Sequence, residues 1–321
     1  KFSAIEVLLR NGIGAGLMKK VVLSVVIALA VSAPAFAADT PDKAAKAPAV
    51  APAAPPPFDV AFGAWVGTDY NFRGVSQSNR DWSAGGYIEP QFNTAVGQFY
   101  VGAAIARIDW PNTPAFGFTD PSAEVDFYGG WRNTWGPVSV DLGGIFFYYP
   151  SETFNGFTTQ SDFWEVYGKI AYAITPDLTV GANVFYTPDL LHYSTSVATS
   201  GGSGKPDAVY ASLTGKWVTP WKWGDVGSFL SGELGHWFID DAPFLSAGYA
   251  NDPSYTYWNI GAALTYKMLT LDFRYHGNDL STAECATFLF SAVGNPSNKW
   301  CNDAFIVTAK FDTTFSALSA K

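Results

Sequence analysis

From Phe58 onward, hydrophobic and polar positions alternate. Val60, Phe62, Ala64, Val66, Thr68, Tyr70 and Phe72 fall on one side of an extended segment. Ala61, Gly63, Trp65, Gly67, Asp69, Asn71 and Arg73 fall on the other. Successive side chains of a strand point to opposite faces, so one row meets an apolar medium and the other a polar, glycine-rich interior. The same period of two returns at 82–93, 98–108, 124–133, 138–149, 162–173, 178–187, 207–217, 226–238, 255–266, 269–277 and 303–312. Each segment is near the ~9–11 residues that a tilted strand needs to cross the hydrocarbon of a bilayer. The total is about twelve, an even number as expected of single-chain bacterial barrels.

The connections sort by parity. Short ones fall at Thr94 to Gly97, Thr134 to Pro137, Thr175 to Asp177, Thr219 to Asp225 and Lys267-Met268. Long ones fall at Asp109 to Ala123, Pro150 to Ser161, Pro188 to Pro206, Ile239 to Ser254 and Asn278 to Asn302, with Gly74 to Asp81 the least extreme of that set. Short periplasmic turns on the side of the termini and long outer loops define an up-and-down transmembrane β-barrel, and a soluble sandwich has no reason to sort its loops in this way. Outward aromatics are expected in two belts. Phe92, Phe99, Trp131, Tyr172, Trp217 and Tyr266 form the periplasmic one, and Tyr70, Phe72, Trp82, Tyr148, Trp164, Tyr186, Trp258 and Tyr275 the outer one. Amphipathic rings favour the two membrane interfaces.

Composition removes the rivals. Aromatics make up 17% of residues and charged residues only 15%, against about 25% charged in soluble domains. No apolar stretch after Ala37 is long enough for a spanning helix, and lipid admits only helices and closed barrels. Ahead of the barrel, Met18-Lys19-Lys20, the apolar run Val21 to Val31 and Ala35-Phe36-Ala37 read as a signal peptide over 18–37. Residues 1–17 are expected to be an over-extended start, 38–57 an Ala/Pro-rich periplasmic linker, 58–315 the barrel and 316–321 a tail. The net charge of −9 becomes more negative once the leader is removed, which argues against nucleic-acid partners.

The candidate chemistry lies on the inward rows. Asp69, Arg73, Glu89, Glu124, Asp126, Arg132, Asp141, Glu165, Lys169, Lys216, Glu233, Asp272, Arg274 and Lys310 are expected to line the lumen. Ionisable groups at membrane depth face an interior or water and often mark a solute path; the alternative is that they interlock as salt bridges filling a narrow barrel. Barrels of about eight strands are filled and those of ~16–18 hold open channels, so twelve stands between the two. The acidic excess favours cations mildly. Cys285 and Cys301 lie in the last long loop, suit an oxidising compartment and are expected to form a structural disulfide rather than a metal site. His192 stands two residues before Ser194, an outline like that of outer-membrane phospholipases, but no orienting third residue can be placed from sequence. His236 is expected on the lipid face and His276 in the lumen, both structural.

Thr68-Asp69-Tyr70-Asn71-Phe72-Arg73-Gly74-Val75-Ser76-Gln77-Ser78 resembles the TorF-type porin-like family of Gram-negative outer-membrane proteins. So do Glu124-Val125-Asp126-Phe127-Tyr128, Tyr148-Tyr149-Pro150, Trp164-Glu165-Val166-Tyr167, Phe185-Tyr186-Thr187-Pro188-Asp189 and the pair Cys285 and Cys301. That resemblance implies a porin-like barrel without a defined solute and supplies no catalytic residues. It departs at the end of the chain, where Phe311 and Phe315 are followed by Ser316 to Lys321 instead of a terminal aromatic. The expected function is non-enzymatic passive diffusion of small hydrophilic solutes across the bacterial outer membrane, without a cofactor. Outer-membrane lipids and the barrel-assembly machinery are the expected partners. A plugged barrel acting through its surface loops is the alternative, and a lipid hydrolase a remote one.

Overall fold

The computed structural model describes residues 55–110, 121–150, 161–192, 206–240, 254–282, 284–285 and 296–319. The expected leader, most of the linker, Ser194 and much of the long loops lie outside them. Twelve antiparallel strands close into a barrel. They are β1 (Phe58–Gly67), β4 (Ser83–Thr94), β5 (Gly97–Arg107), β6 (Ala123–Trp135), β7 (Val138–Tyr148), β8 (Phe163–Ala173), β9 (Leu178–Thr187), β10 (Ala208–Val218), β11 (Gly227–Ile239), β12 (Tyr255–Tyr266), β13 (Leu269–Asn278) and β14 (Ala304–Thr314). Neighbours in sequence are neighbours in the wall, and β1 pairs with β14, with Ala61 opposite Thr314, to close the ring. Closure satisfies every strand edge, which is what a lipid environment demands.

Loop parity holds in the structure. The short connections Thr94–Gly97, Trp135–Val138 and Tyr266–Leu269 lie at the end where β1 begins and β14 finishes. Gly97 and Gly136 take positive φ there, and so does Lys267 at φ 53°; such left-handed residues let two-residue hairpin turns follow the twist of the strands. The outward rows are apolar and exposed, as at Ile88, Val101, Ile105, Leu213, Leu234 and Ile260. Phe92, Phe99, Tyr172, Trp217 and Tyr266 are exposed near the short-turn end, and Trp82, Trp164, Tyr186, Trp258 and Tyr275 near the long-loop end. His236 lies outward beside Phe238, and His276 inward, bonded to the Tyr257 hydroxyl at 2.9 Å.

Tyrosines occupy much of the inner face, and glycines opposite them make room. A Cβ at Gly143 would lie 2.5 Å from the Tyr167 hydroxyl, and one at Gly130 2.6 Å from that of Tyr100. Small residues next to large ones let the rings lie along the wall of a narrow barrel.

One expectation fails. The first strand was expected to run to Arg73, with Tyr70 and Phe72 facing lipid. Instead β1 ends at Gly67, the Thr68 N–H closes onto the Val307 carbonyl at 3.0 Å, and the chain then turns into the lumen. There Asn71–Phe72 (β2) and Val75–Ser76 (β3) form a small hairpin. Arg73 and Gly74 at its tip have φ of 47° and 94°, the paired positive values of a tight type I′-like turn. The Asp69 carboxylate ties its base, accepting from Ser76 Oγ at 2.6 Å and Ser78 Oγ at 2.9 Å. Tyr70 and Phe72 are therefore interior residues: the Tyr70 hydroxyl donates to Glu124 at 2.6 Å, and Phe72 packs edge-on against Phe147 and Trp237. Alternation alone cannot detect this departure, because an inward hairpin keeps the period of two while leaving the wall.

Candidate functional site: the lumen and its hairpin

In the closed ring β9 lies diametrically opposite β1. Twelve strands spaced ~4.8 Å apart and tilted ~40° enclose a backbone cylinder about 24 Å across. The hairpin that leaves β1 spans it. Its tip, Arg73, meets Glu165 of β8, Phe185 of β9, Tyr210 of β10 and Trp237 of β11.

Around Arg73 the contacts are dense. Its guanidinium donates to both Glu165 carboxylate oxygens, Nη1 to Oε1 at 2.6 Å and Nη2 to Oε2 at 2.7 Å. This is the bidentate fork in which arginine excels. Its carbon lies 4.3 Å from the centre of the Tyr210 ring, 4.6 Å from Phe72 and from Phe185, and 4.8 Å from Trp237. Each such contact is worth roughly 0.5–2 kcal/mol when desolvated, without strict additivity. Tyr255 donates its hydroxyl to the Arg73 carbonyl at 2.9 Å, and Asn278 donates to the Gly74 carbonyl at 2.7 Å. A non-glycine residue at positive φ is disfavoured; the contacts made by Arg73 offset that cost. Val75, Phe147, Phe163, Leu190, Tyr210, Trp237 and Tyr255 belong to one buried cluster, so the long-loop half of the lumen is packed like a protein core.

The described residues of the last loop meet the segment that follows the hairpin. Cys285 and Cys301 are joined in a disulfide with a Cα–Cα distance of 6.0 Å. Beside it Trp300 donates its indole N–H to Asn79 at 3.0 Å, and Arg80 donates to the carbonyls of Lys299, Trp300 and Asn302. Arg80 also reaches Asp69 at 3.2 Å.

Toward the short-turn end the lumen changes character. Arg132 bonds Glu89 at 2.6 Å and Gln98 at 2.5 Å. Lys169 lies 3.9 Å from Asp141, which also accepts from the Tyr100 hydroxyl. Arg274 holds Asp272 at 2.8 Å and reaches Asn259 at 2.6 Å. Lys216 lies over the Phe229 ring, and Lys310 is exposed on the inner row. Glu233 accepts from Tyr210 at 2.8 Å. Glu124 accepts from Tyr70 and Tyr149, while the neighbouring Asp126 Oδ1 is buried without a hydrogen-bond partner among the described residues. The charged residues expected on the inner rows thus fall into separate groups. Asp69, Arg73, Glu124 and Glu165 build or hold the hairpin, Glu89, Arg132, Asp141, Lys169, Asp272 and Arg274 form paired charges below it, and Asp126, Lys216, Glu233 and Lys310 belong to neither group.

Sequence reasoning overlooked the interior tyrosines, although Tyr100, Tyr167, Tyr210 and Tyr257 share the parity of their charged neighbours. It also overlooked Asp162 near His192. Burial raises the Asp162 carboxyl pKa, opposed by the Tyr149 N–H and the field of His192. His192 itself is exposed at the end of the turn Leu190–His192. Among the described residues, no three His, Cys, Asp or Glu side chains converge as a metal site.

Residues 51–287 match a family described as a bacterial protein of unknown function (Gcw_chp). No curated protein matches the sequence. Among solved structures, the NanC porin is similar at TM-score 0.43 and 9% identity, over 79% of this chain and 98% of that one. An outer membrane channel from Pseudomonas putida F1 is similar at TM-score 0.39 and 14% identity, over 82% and 97%. LpxR from Salmonella typhimurium is similar at TM-score 0.40 and 9% identity, over 78% and 99%. These are distant likenesses, and the architecture rests on the strand register of the chain itself.

Proposed function

This chain belongs to the Gcw_chp family of bacterial proteins of unknown function, and we propose that it is a non-enzymatic outer-membrane channel for small hydrophilic solutes. Its conductance is set by the hairpin between β1 and β4, and its long loops face outward. The observation that carries this reading is the short-turn half of the lumen, where strand after strand turns charge inward: Glu89, Arg132, Asp141, Lys169, Asp272 and Arg274. Charge at membrane depth is costly unless it meets water or partners, and the exposure of Lys310 on that inner row is consistent with water reaching it. Inward acids outnumber inward bases, which favours cations. The resemblance to TorF-type porin-like proteins agrees with this reading.

A second reading has its own observation. The Arg73 hairpin fills the outer half of the lumen so completely that a sealed barrel acting through its loops would look the same. Planar-bilayer recording separates them. A channel gives conductance steps in the wild type that grow or lengthen when Arg73 is replaced. Silence of both proteins at every voltage would refute the channel and favour the sealed barrel. The hydrolase reading has only the exposed His192 with Asp162 nearby, and we expect no fatty-acid release from phospholipid by the wild type or by His192→Ala.

A further inference from the structure

We propose that the Arg73 cage is a binding site for guanidino-bearing cationic solutes, held in the resting barrel by the protein's own arginine. The proposal rests on the channel reading for its place on a solute path. The cage itself does not depend on the hairpin. Glu165, Phe185, Tyr210 and Trp237 sit on four consecutive wall strands held by continuous ladders. Tyr210 is fixed further by its hydroxyl bond to Glu233. Beneath it Gly235 leaves the space the ring occupies, since a Cβ there would collide with the Tyr210 hydroxyl. Phe185 and Tyr210 lie with centroids 6.2 Å apart, and Tyr210 meets Trp237 edge-on at the same distance. Removal of the hairpin tip therefore leaves three rings and a carboxylate in place.

The geometry also sets the ligand class. Both Glu165 oxygens are used, one by each terminal nitrogen of a planar fork. An ammonium is a point charge and cannot make that pair of parallel bonds, and a sodium ion has no planar face for the rings. A flat guanidinium does both. The occupant sits on a segment bound at its tip but held in a left-handed conformation that arginine disfavours. Such a self-ligand is suited to displacement by a free ligand of the same chemistry. A solute of this class arriving from the long-loop side would compete for Glu165 and release the hairpin that closes its own path.

The test uses the full-length barrel and ethylguanidinium as the probe. Arg73→Gly empties the cage and suits the positive φ of the turn, so the wall strands are expected to fold as in the wild type, checked by heat-modifiable gel migration. Calorimetry is expected to detect ethylguanidinium binding to Arg73→Gly and at least about tenfold weaker binding to the wild type, whose filled cage must first release Arg73. In Arg73→Gly/Glu165→Gln, binding is expected to weaken about tenfold or more, as loss of a charge-assisted acceptor implies. Ethylammonium at equal concentration should not substitute. In bilayers, the probe should lower the conductance of Arg73→Gly and lengthen wild-type openings. Absence of binding to Arg73→Gly, or equal binding after removal of the Glu165 charge, overturns the proposal. Binding without conductance in any variant retains the site and overturns the channel reading instead.

Discussion

Replacement of Glu165 by glutamine tests the hairpin as a latch. The Glu165 side chain is 1% exposed and receives two hydrogen bonds from Arg73. Glutamine keeps one acceptor oxygen but turns an NH2 group toward a guanidinium that has only donors to offer. Removing one partner of a buried ion pair costs about 3–5 kcal/mol, because the other charge remains desolvated. The four rings around Arg73 retain part of its stabilisation, so the lower figure applies. The barrel can escape the penalty by letting the hairpin leave the lumen, since no wall ladder passes through β2 or β3. The cost should therefore appear as a shift of the closed-to-open ratio, and about 3 kcal/mol corresponds to roughly 150-fold. Tyr255 and Asn278 still hold the hairpin backbone, so opening becomes frequent rather than permanent. Single-channel recording reads the open probability, and gel migration against temperature reads the wall, which should melt within a few degrees of the wild type. An unchanged open probability would show that Arg73 and Glu165 do not hold the hairpin. A collapse of the wall would show that the hairpin is part of the barrel core rather than a separable element.

Three further outcomes follow from the same contacts. Reduction of the Cys285–Cys301 disulfide, or Cys285→Ser with Cys301→Ser, should loosen the loop over Asn79 and Arg80; closure of a chain separation of 16 is worth about 3 kcal/mol in the chain-entropy model, and proteolysis of that loop should quicken while the wall stays intact. Gly74→Ala should cost about 1–3 kcal/mol of hairpin stability, because φ is 94° and the new Cβ would meet Asn278 and Tyr257 at 3.1 Å; its open probability should rise in recordings where that of Gly136→Ala does not. Asp126→Asn should leave folding unharmed or raise the melting temperature, since it replaces a buried carboxyl whose Oδ1 lacks a donor by a neutral amide of the same shape; a clear destabilisation would mean that a donor from outside the described residues serves Asp126.

Much of the wall was legible in the sequence. Residues such as Glu89, Asp141, Lys169 and Arg274 face inward because strand parity assigns them, and parity survives small errors in strand ends. Loop lengths and the exposed aromatics followed from the same period. The pairings were not legible, because Arg132 with Glu89 and Lys169 with Asp141 depend on which strands meet and in which register. Asp162 near His192 and the tyrosines behind the charges are likewise products of three-dimensional proximity.

The alternating pattern by itself determined an antiparallel barrel, because an apolar row on one face and a polar row on the other leave the strands no unpaired edge only when the sheet closes. Only the tertiary structure decided what the barrel encloses. Thr68 to Arg73 continues the wall pattern in sequence, yet Asp69 finds Ser76 and Ser78, Arg73 finds Glu165 on the far wall, and Tyr70 finds Glu124. Those partners lie up to 92 positions away. Their combined pull, not any local propensity, takes the chain out of the sheet and into the lumen.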